Sequence, residues 1–280
     1  MSKPNPNLCD FCDKFFRQSL SGSNYVKASA GVTRRVSKHL LTLLPPITSE
    51  SVLHDNACGP AICTMDILEQ AANAGISPPE IYATDYSVNM IKVTQEAIDE
   101  NNLRTVTAQV MDGTEITFDD DTFTHSITNF GIFGFPDFEA GSKHIHRTLK
   151  SGGVAAVTVW KRAGNIEFVN KVLKRINPDA KDFWPITEDW SPEAKLRGVM
   201  IAGGFEEGKM AISEYEVRWR IKNKDDALEQ FNSPFWTLAK AELTDSQMER
   251  WNDTCWDTLV EDGRLETGIP MVAWIALATK

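Results

Sequence analysis

Residues 51–61, with the sequence SVLHDNACGPA, constrain the fold of this chain more than any other stretch. A short apolar strand runs into a turn of small residues, and a helix follows at once. The apolar residues of that helix have the spacing of one buried face: Ile62, Met65, Leu68 and Ala72. Small residues let a ligand approach the backbone, and the first helical turn offers unpaired amide groups. The unit is therefore typical of a protein that binds a nucleotide or nucleoside cofactor at the end of a strand.

Two classes of cofactor use such a turn. A dinucleotide site needs a third glycine where this chain has Ile62, and a branched side chain there argues against NAD or FAD. S-adenosylmethionine has no phosphate, and its proteins carry an acidic residue followed by glycine at three alternate positions. Here that pattern is Asp55, Ala57, Gly59 and Ala61. A purely structural strand–turn–helix corner would show the same short motif.

Two further strands are predicted to end in carboxylates. The strand at residues 80–85 ends at Asp85, which can accept hydrogen bonds from both hydroxyls of a ribose, and Ser87 caps a helix that runs to about Asn101. The strand at residues 103–110 leads to Asp112, which can accept the amino group of adenine. A nucleoside cofactor fits both positions.

Taken in order, these motifs resemble those of class I S-adenosylmethionine-dependent methyltransferases: DNACG at 55–59, DYS at 85–87, DG at 112–113 and LKSGG at 149–153. The chain is most similar to the small-molecule branch that is related to ubiquinone-pathway methyltransferases and that fungi use in natural-product clusters. The resemblance implies a Rossmann-like α/β fold, with a doubly wound seven-stranded sheet and a helical cap, and S-adenosyl-L-methionine as cofactor. The cofactor-binding residues that it implies are Tyr25, Asp55, Asn56, Ala57, Gly59, Asp85, Tyr86, Met90, Met111, Asp112, Gly113, Asn129 and Phe130.

A loop rich in glycine and phenylalanine, FGIFGFP at 130–136, follows the fourth predicted strand at about 122–129. Ligands of open parallel sheets bind beyond the carboxyl ends of the strands, so cofactor and methyl acceptor are expected to meet at this loop. Its apolar residues could also do no more than pack on the next helix. With other aromatic residues along the chain, the predicted substrate-binding residues are Phe16, Phe133, Phe135, Trp160, Trp184, Phe235 and Trp236.

The chain divides into a lid, a cofactor domain and an insertion. Residues 1–46 read as an N-terminal helical lid, with helices at 8–20 and 26–44. Residues 47–222 and 264–280 form the predicted cofactor domain, whose last two strands, 214–221 and 270–278, suit an antiparallel hairpin. Residues 223–263 form a helical insertion that is expected to contribute to the substrate cap.

Composition limits the partners. The net charge of −10 argues against a nucleic-acid substrate, which needs clustered cations. Apolar runs are far short of a membrane span and the N-terminal residues lack the apolar core of a secretion signal, so a cytoplasmic protein is expected. Cys9 and Cys12 have the spacing of half a zinc site, but no second ligand pair follows, so no metal is expected. Whether the protein is a monomer or a homodimer is left open.

The predicted function is methyl transfer to a hydrophobic polycyclic small molecule. The resemblance implies a natural product, such as an indole or diketopiperazine alkaloid, and O-methylation. N- or S-methylation of a similar metabolite, a cyclase or regulatory protein that binds the cofactor without methyl transfer, and a nicotinamide oxidoreductase are the alternatives. None of the five histidines has an obvious orienting carboxylate, so the reaction is expected to depend on alignment rather than on a dedicated base.

Overall fold

The structure, a computed structural model, describes residues 31–183 and 189–280. These residues contain one sheet of seven strands: β1 Val52–Asn56, β2 Glu80–Asp85, β3 Val106–Val110, β4 Phe123–Asn129, β5 Leu149–Arg162, β6 Met210–Trp219 and β7 Ile269–Thr279.

The described helices precede, connect and follow the strands: α1 Val32–Leu43, α2 Ile62–Ala74, α3 Val88–Glu100, α4 Phe138–Thr148, α5 Gly164–Ile176, α6 Glu193–Ala202, α7 Lys224–Phe231, α8 Asp245–Glu261 and the single turn α9 Arg264–Thr267. Short 3-10 turns lie at Ile132–Gly134, Glu207–Lys209 and Pro234–Trp236. Within the described residues, every helix is too short or too polar to cross a bilayer.

The strand order is β3-β2-β1-β4-β5-β7-β6, and only β7 runs against its neighbours. The predicted Rossmann-like sheet is confirmed. The order reverses between β1 and β4, which pair in parallel from Leu53 opposite His125 to Asp55 opposite Ile127. This switch point places the ends of β1, β2 and β4 side by side at one edge of the sheet. Strand β4 and the middle of β5 are buried almost continuously because helices cover both faces of the central sheet.

The C-terminal hairpin forms as predicted, with shifted bounds. Strand β6 begins at Met210 and ends at Trp219, whereas the alternation in the sequence predicted residues 214–221. The first half of β6 is an edge strand with exposed residues, so its pattern carries little apolar signal. Strand β7 matches the predicted residues 270–278 to within one residue at each end.

The predicted buried face of α2 is wrong. Cys63, Ile67 and Ala71 are buried, whereas Ile62 and Leu68 are only partly buried and Ala72 is exposed. The rotation of α2 is fixed by Asp55 on β1, whose carboxylate accepts hydrogen bonds from both the amide and the hydroxyl of Thr64. This contact turns the Cys63–Thr64 side of the helix toward the sheet and leaves Ile62 beside the turn.

Aromatic side chains pack residues 223–263 against the sheet. Trp219 at the end of β6 packs on Phe231 and stacks on Trp236, with ring centroids 5.2 and 6.0 Å apart. The indole N–H of Trp219 donates to Gln230, and that of Trp251 donates to the Phe231 carbonyl at 3.2 Å. These buried indoles mostly satisfy their N–H groups locally, as packing residues do. The division into lid, cofactor domain and cap stays a prediction.

Three of the predicted site residues lie outside the described part of the chain. They are Phe16, Tyr25 and Trp184. The helix predicted at 8–20 and the first residues of the one predicted at 26–44 fall there too, and the described part of the latter is α1.

Candidate functional site

The turn after β1 is built from three residues in the left-handed backbone conformation. Ala57, Gly59 and Ala61 have φ values of 55°, 54° and 60°. A Cβ atom strains such a conformation, so Gly59 adopts it freely whereas Ala57 and Ala61 adopt it at a cost. A Cβ atom built on Gly59 meets no atom within 4 Å, so the turn borders open space. The backbone conformation favours glycine at this position, and the missing side chain leaves room for a ligand.

Asp85 is the side chain of the site that is best placed to accept hydrogen bonds from a ligand. One carboxylate oxygen accepts the Gly59 amide at 2.9 Å, and the other accepts the Ser87 amide at 2.8 Å. Each oxygen can still accept a second hydrogen bond, so the carboxylate is prepared for two adjacent hydroxyl groups. Burial raises the pKa of Asp85 to about 6, and the two amides partly offset that effect.

Asp55 has a different role. Its Oδ2 accepts the Thr64 amide at 3.0 Å and the Thr64 hydroxyl at 2.7 Å, so it anchors the start of α2 below the turn. Burial raises its pKa to about 6 as well, against the effect of the two Thr64 hydrogen bonds. Asp55 nevertheless borders the cavity.

A cavity joins this turn to the aromatic loop after β4. Ten of the predicted site residues line it: Asp55, Ala57, Gly59, Asp85, Tyr86, Met90, Asn129, Phe130, Phe133 and Phe135. The remaining lining residues were not predicted: Thr33, Cys58, Pro60, Ile62, Cys63, Gly131 and Gly134. Cys58, Pro60, Gly131 and Gly134 could have been inferred, since they stand between predicted positions. Thr33 gave no sequence signal; it reaches the cavity because Arg34 of α1 binds Asp66 of α2 at 2.7 Å.

The loop after β4 starts with a strained residue. Phe130 has a φ of 59°, a conformation that costs a non-glycine residue roughly 1–3 kcal/mol. Its amide is held by the Thr158 hydroxyl at 2.9 Å, and its ring stacks on Trp160 with centroids 4.0 Å apart. Gly131 comes next, and a Cβ there would lie 2.5 Å from the Ala57 Cβ. The methyl group of Ala57 thus occupies the space that Gly131 leaves, and the two loops fit each other.

The predicted adenine residues Met111, Asp112 and Gly113 do not line the described cavity. The Phe135 ring lies against Gly113 and Gly141, where added Cβ atoms would come within 2.3 and 2.5 Å of it. Phe135 therefore separates Gly113 from the cavity. Asp112 lies just outside, with one carboxylate oxygen accepting the amide and hydroxyl of Thr114 at 2.8 Å each.

Four more predicted residues, Asn56, Trp160, Phe235 and Trp236, do not line the described cavity. Asn56 is buried and its amide group donates to the Thr128 hydroxyl at 3.3 Å. Trp160 supports Phe130 from behind, and Phe235 packs edge-on against Trp236 at 4.6 Å. Trp236 is fully buried in the aromatic core of residues 223–263, so the prediction that it contacts a ligand is corrected. Tertiary packing, and not a pocket, explains its aromatic character.

Histidines and metal-ligand clusters are absent from the described cavity lining. His54 is completely buried, which lowers its pKa to about 3, and its Nε2 lies 2.8 Å from the Thr84 hydroxyl. Burial also lowers the pKa values of His125, His144 and His146. Across residues 31–183 and 189–280, no three acidic, histidine or cysteine side chains come together as a metal site would require. Burial raises the pKa values of Cys58 and Cys63 well above the usual range, so both are neutral thiols.

The strand order, the small-residue turn and the carboxylate at the tip of β2 together define a Rossmann-like methyltransferase fold. The chain belongs to the ubiE/COQ5 methyltransferase family, whose model matches residues 31–171, 141 of the 280 residues. S-adenosylmethionine, the cofactor predicted from the sequence, is the methyl donor of that family.

Sequence comparison agrees with this assignment, and structural comparison agrees with the fold. The demethylmenaquinone methyltransferase of Anoxybacillus flavithermus is 32% identical over 99 residues, which are 35% of this chain and 40% of the relative. The chain thus matches less than half the length of this curated relative. Phosphoethanolamine N-methyltransferase 2 of Haemonchus contortus, solved with S-adenosylhomocysteine, shares the fold with a TM-score of 0.59 at 15% identity, over 98% of this chain and 60% of that one. The 4+2 cyclase SpnF also shares it, with a TM-score of 0.51 at 14% identity, over 88% and 80% of the two chains.

The residues present fit this cofactor. Asp85 offers two acceptor positions to a ribose diol, and the open space beside Gly59 is the room that a close-lying ligand requires. The aromatic residues Phe130 and Phe133 also line the cavity, and aromatic rings suit a cationic group because the ring quadrupole attracts positive charge.

Proposed function

We propose that this protein is an S-adenosylmethionine-dependent methyltransferase that methylates an oxygen atom of a hydrophobic polycyclic small molecule, within the fungal natural-product branch of its family. The acceptor class that we favour is an indole or diketopiperazine alkaloid, with N- or S-methylation of a similar metabolite as the alternative.

The observation that carries the proposal is the continuity of the cavity. At one end it is bordered by Asp85 and the turn at Gly59, and at the other by Phe130, Phe133 and Phe135. A nucleoside bound at the first end would direct its remaining atoms toward the aromatic end. Apolar lining with a few placed polar groups is typical of small-molecule sites.

Each part of the site has a task in this proposal. Asp85 binds the ribose, and the turn residues allow the ligand to lie against the backbone. The aromatic loop orients a flat acceptor and excludes water from it. S-adenosylmethionine supplies a methyl group that its sulfonium already activates, so alignment can account for much of the rate enhancement. Burial lowers the pKa of His54, so this imidazole resists taking up a proton, and burial raises the pKa values of Cys58 and Cys63, so these thiols resist losing one. Both effects favour a mechanism without a dedicated base.

The family relatives support a flat hydrophobic acceptor. Their name gives demethylmenaquinone, a quinone, as their substrate. The stacked pair of Phe130 and Trp160 supports the preference for a ring system, because aromatic rings gain about 0.5–1.5 kcal/mol beyond area burial when they stack.

The test is transfer of a labelled methyl group. Purified protein would be incubated with methyl-labelled S-adenosylmethionine and, in separate reactions, a demethylated quinone, a hydroxylated indole and a hydroxylated diketopiperazine. Label in an oxygen-linked methyl group of one acceptor is the expected result, with Asp85→Ala as the control that should lose it. Label on nitrogen or sulfur would favour the alternative.

Cofactor binding without any transfer is the outcome that would refute the proposal. The fold alone allows that outcome, since a 4+2 cyclase shares it. A cofactor-dependent cyclase or a regulatory binding protein would then describe the chain better.

A further inference from the structure

We propose that Thr158, a residue of β5 outside the cavity lining, is a positioning residue that makes Asn129 present its amide N–H to the cofactor's carboxylate. This inference rests on the proposed function, because it concerns the same cofactor site.

The Thr158 side chain is completely buried and lies between two residues of the site. Its hydroxyl donates to the Asn129 Oδ1 at 2.8 Å and accepts the Phe130 amide at 2.9 Å. The Phe130 amide can only donate, and it is shared between the Thr158 hydroxyl and, at 3.3 Å, the Thr158 carbonyl, so it engages a lone pair of the hydroxyl. The hydroxyl proton then has to find an acceptor, and the Asn129 oxygen provides it.

This arrangement fixes the polarity of Asn129. With its oxygen engaged by Thr158, the side chain has only its NH₂ group to offer elsewhere. Both Asn129 and Cys63 border the cavity, so this NH₂ group lies at the cavity wall. A rotation of the amide by 180° would leave the Thr158 proton without its acceptor in a buried position, which is costly. Asn129 therefore presents a hydrogen-bond donor, and not an acceptor, to a ligand.

The position of Asn129 tells which part of the cofactor it would meet. Asp85 ends β2 and Asn129 ends β4, with β1 between them. Two strand spacings are about 9.5 Å. A ribose bound at Asp85 would thus leave the amino-acid end of the cofactor in the neighbourhood of Asn129. A donor there repels the ammonium and sulfonium groups and attracts the carboxylate, which is the one strong acceptor at that end.

Thr158 also holds the strained start of the aromatic loop. Phe130 keeps its φ of 59° while its amide is bound to the hydroxyl, and its ring is stacked on Trp160 from the same strand. One side chain of β5 therefore sets both the donor at the carboxylate and the wall beside it.

Two ligands separate the carboxylate contact from the rest of the site. S-adenosylhomocysteine carries the carboxylate, whereas 5′-methylthioadenosine has the same nucleoside without it. Affinities of both would be measured by calorimetry for wild type and for Thr158→Val, which keeps the shape and removes the hydroxyl. We expect S-adenosylhomocysteine to bind about tenfold more weakly to this variant and methylthioadenosine to change less than about threefold, as loss of one charge-assisted contact predicts.

Three further variants complete the test. Thr158→Ser keeps the hydroxyl and should restore the affinity for S-adenosylhomocysteine. Asn129→Asp replaces the donor with a like charge and should weaken that ligand by more than about tenfold while sparing methylthioadenosine. Thr148→Val is the matched control. Thr148 is also fully buried and its hydroxyl donates to the His144 carbonyl at 2.9 Å, but it precedes β5 at the opposite end from the site. Circular dichroism would establish that each variant is folded.

Equal losses for the two ligands in Thr158→Val, or no loss for either, would overturn the inference, as would a serine variant that fails to recover. A wild-type protein that binds neither ligand would instead contradict the proposed function itself.

Discussion

Replacing Asp85 by asparagine tests the centre of the site. The substitution keeps the size of the side chain but turns one acceptor into a donor. Because the two oxygens face the amides of Gly59 and Ser87, the new NH₂ group would oppose one backbone N–H. A ribose hydroxyl would also lose its charged acceptor. Charge-assisted hydrogen bonds contribute about 1.5–3 kcal/mol each, so we expect cofactor binding to weaken by about 2–4 kcal/mol after compensation.

The pH dependence gives a second, independent readout. The pKa of Asp85 is raised to about 6 by burial in the free protein. If the ribose binds only to the charged form, the ionised fraction falls from about 0.9 at pH 7 to about 0.1 at pH 5, which predicts about tenfold weaker binding at the lower pH. Affinity falls as the pH falls, because hydroxyl donors stabilise the charged carboxylate and protonation near pH 6 removes that charge. Asp55, whose pKa is also about 6, adds to the wild-type slope.

Calorimetry with S-adenosylhomocysteine between pH 5 and pH 7.5 would measure both effects. Over two pH units, the affinity of Asp85→Asn should change about tenfold less than that of the wild type. Any pH dependence that remains in the variant would come from Asp55. Glu80→Gln, at the exposed start of the same strand, serves as the matched control. An asparagine variant that binds within about threefold of wild type, or that keeps the full wild-type slope, would refute the ribose assignment.

Other variants test the walls and the chemistry of the site. Gly131→Ala should place a methyl group against Ala57 and lower the free energy of unfolding, measured by chemical denaturation, by about 1–3 kcal/mol. Adding Ala57→Gly should recover most of this loss, whereas a Gly131→Ala variant as stable as wild type would show that the two loops do not fit closely. Single His→Ala variants of His54 and His125 that remain folded should reduce turnover by less than about 10²-fold in the labelled-methyl assay, because neither lines the described cavity, and a larger loss with normal binding would identify a base. Methyl transfer should continue in excess EDTA, and activity that is lost and then restored by magnesium would contradict a metal-independent reaction.

The sequence alone determined the local units of the cofactor site. The small residues at 57, 59 and 61 predicted the turn, and the structure places all three in the left-handed conformation. The strand ending at Asp85 and its cap at Ser87 were predicted to the residue. Such features depend on backbone conformation and on neighbours within a few positions, and parallel strands bring their carboxyl ends to one edge whatever the details of packing.

Tertiary structure decided how these units face one another. The buried side of α2 was set by Asp55 and Thr64, against the apolar spacing of the helix. Trp236 lies in the hydrophobic core because Trp219 and residues of 223–263 enclose it, although its aromatic side chain had suggested a place in the pocket.

The pair of Thr158 and Asn129 is the clearest case of a contact that only the tertiary structure decides. They are 29 positions apart and meet only because β4 and β5 pair in register, with Asn129 opposite Thr158. The fit of Ala57 to Gly131 arises in the same way, from loops that follow different strands. No local pattern encodes such contacts, since they depend on which strands become neighbours and on their register, and both are fixed only when the whole sheet has assembled.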